Sequence, residues 1–404
     1  LYFDMRIVLI TIIIFFSFSC NKKTKVQNKN HNLESNSLSL ADADKFGIDY
    51  YKKYASKLLL NRSIEIKKQS IEIDGFEMKY HLNTYGDMPP NGWSLFISLH
   101  GGGGVSPEIN ERQWNRHKKL YSLEEGILLT PRSPTDTWNM WHQDHIDRIF
   151  NRLIQNMIAK YNVNPNKIFL LGYSAGGDGV YQLAPRMADR FAAASMSAGH
   201  PNDASPLGLR NIGFSIHMGK NDSAYNRNNV AEEWKVQLED LKSKDIDGYE
   251  NFVKIYEGRG HQISHAKETY VLEKSNNGVD SSGIFWMSKF TRNPYPKKVV
   301  WKQDDVTHNR FYWLKVIEPK AYSLIVASIE SQVITISKAT VSELLIRLND
   351  ELLDMDKKVK VVYGDKEIFS GYVPRRKDVI LNSINEYGDP ESIYYGKISV
   401  SLGN

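Results

Sequence analysis

The chain has 404 residues, enough for two or three domains, and its 41% hydrophobic and 25% charged residues are the proportions of a globular protein with a buried core. Its net charge of +5 is a small difference between 52 basic and 47 acidic side chains, so no nucleic-acid partner is expected. A single cysteine excludes an intrachain disulfide.

Met5-Arg6 gives a short charged start, with residues 1–4 read as preceding it. The apolar run from Ile7 to Phe18 is too short to cross a bilayer comfortably and has the length of a signal-peptide core. Cys20 follows at once, which resembles a bacterial lipoprotein signal whose cysteine is lipidated and becomes the new N-terminus. That signal prefers Leu three residues before the cysteine, where Ser17 stands here. Lipidated at Cys20 or simply cleaved, the mature protein is expected outside the cytoplasm, secreted or held at the membrane of the bacterial envelope. Residues 21–45 are polar and lack apolar periodicity up to position 42, and are read as a flexible tether that carries the one basic cluster, Lys22, Lys23, Lys25 and Lys29.

Residues 46–60 place Phe46, Tyr50, Tyr51, Tyr54 and Leu58 at helical spacing. Alternating stretches at 63–73 and 76–84 flank Asp74-Gly75, a hairpin signal. From Trp93 onward, apolar strands are expected at 93–100, 126–131, 167–174, 191–199, 213–219 and 251–258. Helices are expected between them at 109–122, 144–161, 176–188 and 229–243. Apolar strands alternating with helices predict a mostly parallel sheet covered on both faces, with its functional loops at the carboxyl ends of the strands. Beyond residue 296 the pattern becomes short alternating runs with turns between them, Gly364-Asp365 marking one hairpin. The predicted organisation is a signal segment (1–20), the tether, an α/β domain over 46–293 and a β-rich, sandwich-like accessory domain over 297–404.

The chemistry concentrates in a few loops. Gly172-Tyr173-Ser174-Ala175-Gly176 joins the end of a predicted strand to the start of a predicted helix. The pentapeptide alone arises by chance in roughly one chain in ten of this length, but this context is the one a nucleophile elbow needs. "LHGGGG" at 99–104 ends an earlier strand, and its unobstructed N–H groups suit the stabilisation of an oxyanion. No Gly-Lys-Ser/Thr follows it and no dinucleotide fingerprint fits, so no phosphate-bearing cofactor is expected. A serine nucleophile needs a base oriented by a carboxylate. Asp222 and His261 each follow a strand, in the chain order Ser, Asp, His. Asp178, Asp203, His200 and His265 are the competitors: the first lies too close to the elbow, the second follows the wrong strand, His200 precedes the acid, and His265 reads as solvent-facing. His100 belongs to the glycine loop and is read as structural. Trp138 and Trp141, with His142 beside them, line a substrate pocket or pack the next helix. His142, Asp144 and His145 lack the spacing of a metal site, and none is expected.

With these motifs in this order, residues 70–291 resemble the α/β-hydrolase family, within it secreted esterases of the polyhydroxybutyrate-depolymerase and feruloyl-esterase type. The resemblance implies Ser174 as nucleophile, His261 as base and Asp222 as its orienting acid, with Ala175 and Gly102 or Gly103 as oxyanion donors. It implies cofactor-free hydrolysis of an ester through an acyl-enzyme, on an acylated polysaccharide or a polyester, and the β-rich tail resembles that of uncharacterised bacterial hydrolases. The alternatives are a serine peptidase of related fold and a non-catalytic glycan-binding protein of the envelope.

Overall fold

A computed structural model describes residues 37–263 and 283–403. The signal segment with Cys20, most of the tether and His265 lie outside the described residues. The described residues open with α1 (Leu40–Asn61) and α2 (Ser63–Lys68). Leu40 to Lys45, which sequence composition assigns to the tether, form the first turns of α1, and the Ser39 side chain caps them by accepting from the Asp42 N–H. Residues 63–68, expected in the first strand of a hairpin, are helical instead. Ile64 and Ile66 alternate over too few residues to separate the two periods, and Gln69 stops the helix in the left-handed conformation. The hairpin itself forms one turn later, β1 (Ser70–Ile73) against β2 (Phe76–Tyr85).

The central sheet continues with β3 (Trp93–Leu99), β4 (Gly126–Pro131), β5 (Val163–Tyr173), β6 (Ala193–Ser197), β7 (Gly213–Gly219) and β8 (Asn251–Tyr256). Its order is β1-β2-β4-β3-β5-β6-β7-β8, parallel from β4 to β8, with β2 antiparallel to β4. With the elbow after β5, this is the α/β-hydrolase arrangement. Strands β4, β6 and β7 have every residue buried, as continuous apolar strands require when helices cover both faces. The helices are α3 (Pro107–His117), α4 (Asp144–Tyr161), α5 (Ala175–Arg186), α6 (Arg227–Lys244) and α7 (Gly283–Ser288).

The C-terminal region builds two small sheets. One holds β9 (Lys298–Lys302), and the other holds β10 (Arg310–Phe311) and β11 (Leu314–Lys315). To these are added β12 (Leu324–Glu330), β13 (Val333–Ala339), β14 (Glu343–Leu348), β15 (Val359–Tyr363), β16 (Lys366–Gly371) and β17 (Gly396–Ser401). The orders are β16-β15-β13-β12-β9 and β10-β11-β14-β17, and Gly364-Asp365 turns the hairpin of β15 and β16. Alternating burial along β12 and β17 turns one face of each sheet inward. A helix, α8 (Lys377–Tyr387), interrupts the strands where the sequence had shown only β pattern.

Residues from Ser37 onward form one compact unit, and a continuous apolar core runs from Leu95 and Phe150 to Trp313 and Ile346. Polar groups knit the same contact. Asp147 of α4 takes hydrogen bonds from Arg186 at 2.8 Å and shares one with His308 at 2.7 Å. Burial pushes its carboxyl up, but Arg186 and His308 prevail and hold it below the usual carboxylate range. Asp389 pairs with Arg292 at 2.8 Å and lies 3.7 Å from Arg190, and the Tyr312 hydroxyl donates to the Ala188 carbonyl at 2.9 Å.

Candidate active site

The elbow follows from what its backbone requires. Ser174 sits at φ 59°, ψ −126°, a strained conformation between β5 and α5. A Cβ on Gly172 would lie 2.1 Å from the Gly176 carbonyl, and one on Gly176 would lie 2.1 Å from the Leu99 carbonyl. Both glycines therefore let β3, β5 and α5 approach closely, and the serine hydroxyl stands clear at the carboxyl edge of the sheet.

Two loops on the same edge complete a chain of hydrogen bonds. Asp222 follows β7 and is buried, while His261 follows β8 and is more than one-third open. His261 Nε2 lies 2.9 Å from Ser174 Oγ and its Nδ1 lies 2.7 Å from Asp222 Oδ2. The carboxylate calls for a proton on Nδ1, which leaves Nε2 as an acceptor facing the hydroxyl. Arg227, at the start of α6, places Nη1 3.7 Å from the other Asp222 oxygen. The loops are fitted back to back: a Cβ on Gly219 would lie 2.1 Å from the Gly260 carbonyl.

The glycine loop lies against the elbow. A Cβ on Gly101 would meet Ser174 Cβ at 3.2 Å, and one on Gly103 would meet Ala175 Cβ at 3.4 Å. Ala175 is the first residue of α5, so its N–H has no acceptor within the helix. Gly102, at φ +116°, packs so tightly on Asn110 that a Cβ there would lie 1.9 Å from Oδ1. The expectation that Gly103 offers an alternative oxyanion donor is corrected: its N–H donates to Asn110 Oδ1 at 2.9 Å and is already committed. Asn110 in turn donates to Asp136 Oδ1 at 2.8 Å, and Arg132 pairs with that same carboxylate. His100 is structural, as read. It is fully buried, its Nε2 accepts from the Ser133 N–H at 3.1 Å and its Nδ1 faces the Gly101 carbonyl at 2.7 Å, while burial lowers its pKa to about 3 and keeps it neutral.

The tentative pocket residues separate. Trp138 is 64% exposed beside Gly104, with a Cβ built there 3.5 Å from its own Cβ. His142 meets the Trp138 ring edge-on at 5.5 Å, and burial, then Arg186, lowers its pKa to about 4. Trp141 is no pocket residue. It is fully buried beneath the glycine loop, donating to the His100 carbonyl at 3.0 Å and filling the space above Gly179.

The competing acids and bases have other partners. Asp178 accepts the His200 N–H at 2.6 Å, and Asp203 accepts from Gln182 at 3.0 Å. His200 Nδ1 accepts from the Asn202 N–H at 2.9 Å. His145 stacks on Phe76 with ring centroids 3.8 Å apart. Among the described residues, no group of three His, Cys, Asp or Glu side chains is placed to hold a metal ion. Sequence reasoning missed Asn110, Tyr173 and Arg227. Tyr173 occupies an unspecified position of the elbow pentapeptide and the other two stand in no motif, so only position against the loops shows what each does.

No family model matches the chain. A curated relative, the bifunctional acetylxylan esterase/xylanase of Neocallimastix patriciarum, is 27% identical over 154 residues, which is 37% of this chain and 22% of that protein. The chain thus matches about a fifth of that relative's length. Among solved structures, a thermostable esterase overlaps 55% of this chain and 62% of its own at 19% identity and a TM-score of 0.38. A ferulic acid esterase overlaps 46% and 91% at 15% identity and 0.31, and the Bacillus cereus carboxylesterase 47% and 89% at 18% and 0.34. At TM-scores this low the overlaps do not bear on the fold, which rests on the strand order and the elbow.

Proposed function

We propose that the protein is a serine carboxylesterase acting on acyl esters of a polysaccharide. The observation that carries this reading is the hydrogen-bonded line Ser174–His261–Asp222, with spacings of 2.9 and 2.7 Å, at the carboxyl edge of the sheet. In the proposed reaction, His261 Nε2 takes the Ser174 proton as Oγ attacks the ester carbonyl carbon. The carbonyl oxygen becomes an oxyanion that accepts from the N–H groups of Ala175 and Gly102, and the N-terminal end of α5 favours its charge. The tetrahedral intermediate collapses, breaking the carbon–oxygen bond, and the alcohol leaves with the proton from His261. Water, deprotonated by the same imidazole, then attacks the acyl-enzyme and releases the acid and the free serine. Each step balances without a cofactor.

Support for the substrate class is narrower. The relative that matches is named an acetylxylan esterase/xylanase. Trp138 offers an exposed ring at the mouth of the site, of the kind that covers an apolar sugar face. A place in the bacterial envelope, through lipidation of Cys20 or secretion, belongs to the same proposal and rests on the N-terminal sequence alone. No helix among the described residues is long and apolar enough to cross a membrane.

The test is hydrolysis of p-nitrophenyl esters from acetyl to decanoyl, and release of acid from an acylated polysaccharide, by the protein and its Ser174→Ala variant. The proposal expects turnover that the variant lowers by at least about 10⁴-fold. Turnover that survives in the variant, or a folded protein inert on every ester, refutes it.

A further inference from the structure

The base of the site sits on a short segment beyond β8, with its imidazole partly open to solvent. Among the described residues, hydrogen bonds anchor that segment on two flanks. On one flank the Asn221 N–H donates to the Arg259 carbonyl at 2.7 Å. On the other, the Tyr173 hydroxyl donates to the His261 carbonyl and accepts the Ile263 N–H at 3.3 Å. The Tyr173 ring lies 5.8 Å from the imidazole, inclined at 60°. Asn221 directly precedes Asp222 and Tyr173 directly precedes Ser174. Each anchor is therefore the chain neighbour of one of the two residues His261 must reach.

We infer that Tyr173 is a positioning residue for the base: its hydroxyl fixes the His261 backbone relative to the elbow, so that Nε2 keeps its place at Ser174 Oγ. This rests on the esterase reading above. Tyr173 is the last residue of β5, and its carbonyl lies 3.0 Å from where a Gly101 Cβ would be, so nucleophile, oxyanion loop and base share one rigid support. Proton transfer needs a heavy-atom separation of about 2.6–3.2 Å, and a misplacement near 1 Å costs on the order of 100-fold. A base held on only one flank loses that precision. The partners of the hydroxyl are backbone groups of the base segment, so its loss is expected to fall on kcat rather than on KM.

The experiment compares Tyr173→Phe with wild type in kcat and KM on p-nitrophenyl acetate and in the rate of inactivation by a fluorophosphonate. The expected result is a kcat roughly 10- to 100-fold lower, a KM changed less than about twofold, and inactivation slowed by the same factor as kcat. Values of kcat and inactivation within twofold of wild type overturn the inference, as does a rise in KM at unchanged kcat. If circular dichroism shows that the variant has lost its fold, 4-aminophenylalanine at position 173, which restores a donor and an acceptor at the ring tip, must restore fold and rate. Failure to do so also overturns the inference. The esterase reading fails separately, by wild-type turnover that Ser174→Ala does not abolish.

Discussion

Asn110→Ala removes the side chain that shapes the glycine loop. Asn110 is fully buried, takes the Gly103 N–H at 2.9 Å and donates to Asp136 at 2.8 Å. The substitution leaves a buried donor on Gly103 without an acceptor, which costs about 1–3 kcal/mol, and it removes a second bond worth about 1 kcal/mol. The loop relaxes to recover that roughly 2–4 kcal/mol, most directly by turning Gly103, which moves the adjoining Gly102 N–H away from the place proposed for it at the oxyanion. If the whole cost falls on the transition state, kcat drops roughly 30- to 1000-fold, at 1.36 kcal/mol per factor of ten. Asn110→Asp is the control. It keeps the acceptor for Gly103 but sets a carboxylate against Asp136, so its kcat lies between the two. The assay is steady-state hydrolysis of p-nitrophenyl acetate, with circular dichroism to confirm folding. A folded Asn110→Ala protein with kcat within threefold of wild type refutes the reasoning.

Asp178, beside the elbow, is raised by burial to a pKa of about 6, against the pull of the His200 N–H and of Arg227. A folded-state pKa above the unfolded value means the native state holds the proton more tightly, so stability is highest below about pH 4 and falls as the pH rises to about 6. The loss is at most about 3 kcal/mol, less for solvent screening at this partly open site. Asp178→Asn keeps an acceptor for His200 and lacks this slope. In urea titrations from pH 4 to 8 its advantage over wild type grows up to about pH 6 and then levels off, and an advantage independent of pH contradicts the assignment. Ending the chain at Asn293 strips His308 from Asp147, Arg310 from Asp189 and Asp389 from both Arg190 and Arg292. Breaking a buried pair costs about 3–5 kcal/mol, so the loss of these pairs together is comparable to the 5–15 kcal/mol that holds a typical domain. The truncated chain is expected to show no cooperative thermal transition by calorimetry, and one near that of the full chain would show that these pairs do not hold the α/β domain together.

The parts of the fold that were readable from sequence are those written in local pattern. Apolar runs bounded by glycine placed β3, β4 and β7 within a residue, because strands buried on both faces need uninterrupted apolar residues. The elbow was readable because Gly172 and Gly176 answer a steric demand that no other residue meets. Trp141 and Trp138 show the limit. Both are tryptophans in one loop, three residues apart, yet one is core, against the His100 carbonyl and Gly179, and the other is open to solvent beside Gly104, a difference set by tertiary packing. Asn110 stood unnoticed inside a helix because its partner, the Gly103 N–H, comes from a preceding loop that folds back over it. The Tyr173 hydroxyl was equally silent: its two partners lie about 90 residues downstream, brought close only when β8 pairs with β7. Helix α8 was missed because the strands around it set the expected period.

The measurement that tests the central claim most directly is an acid quench of the enzyme during steady turnover of p-nitrophenyl acetate, followed by peptide mass mapping. The account predicts a single acetyl group, carried on Ser174, absent from the Ser174→Ala protein. Continued turnover with no acetylated peptide, or with the acetyl group on another residue, would contradict it.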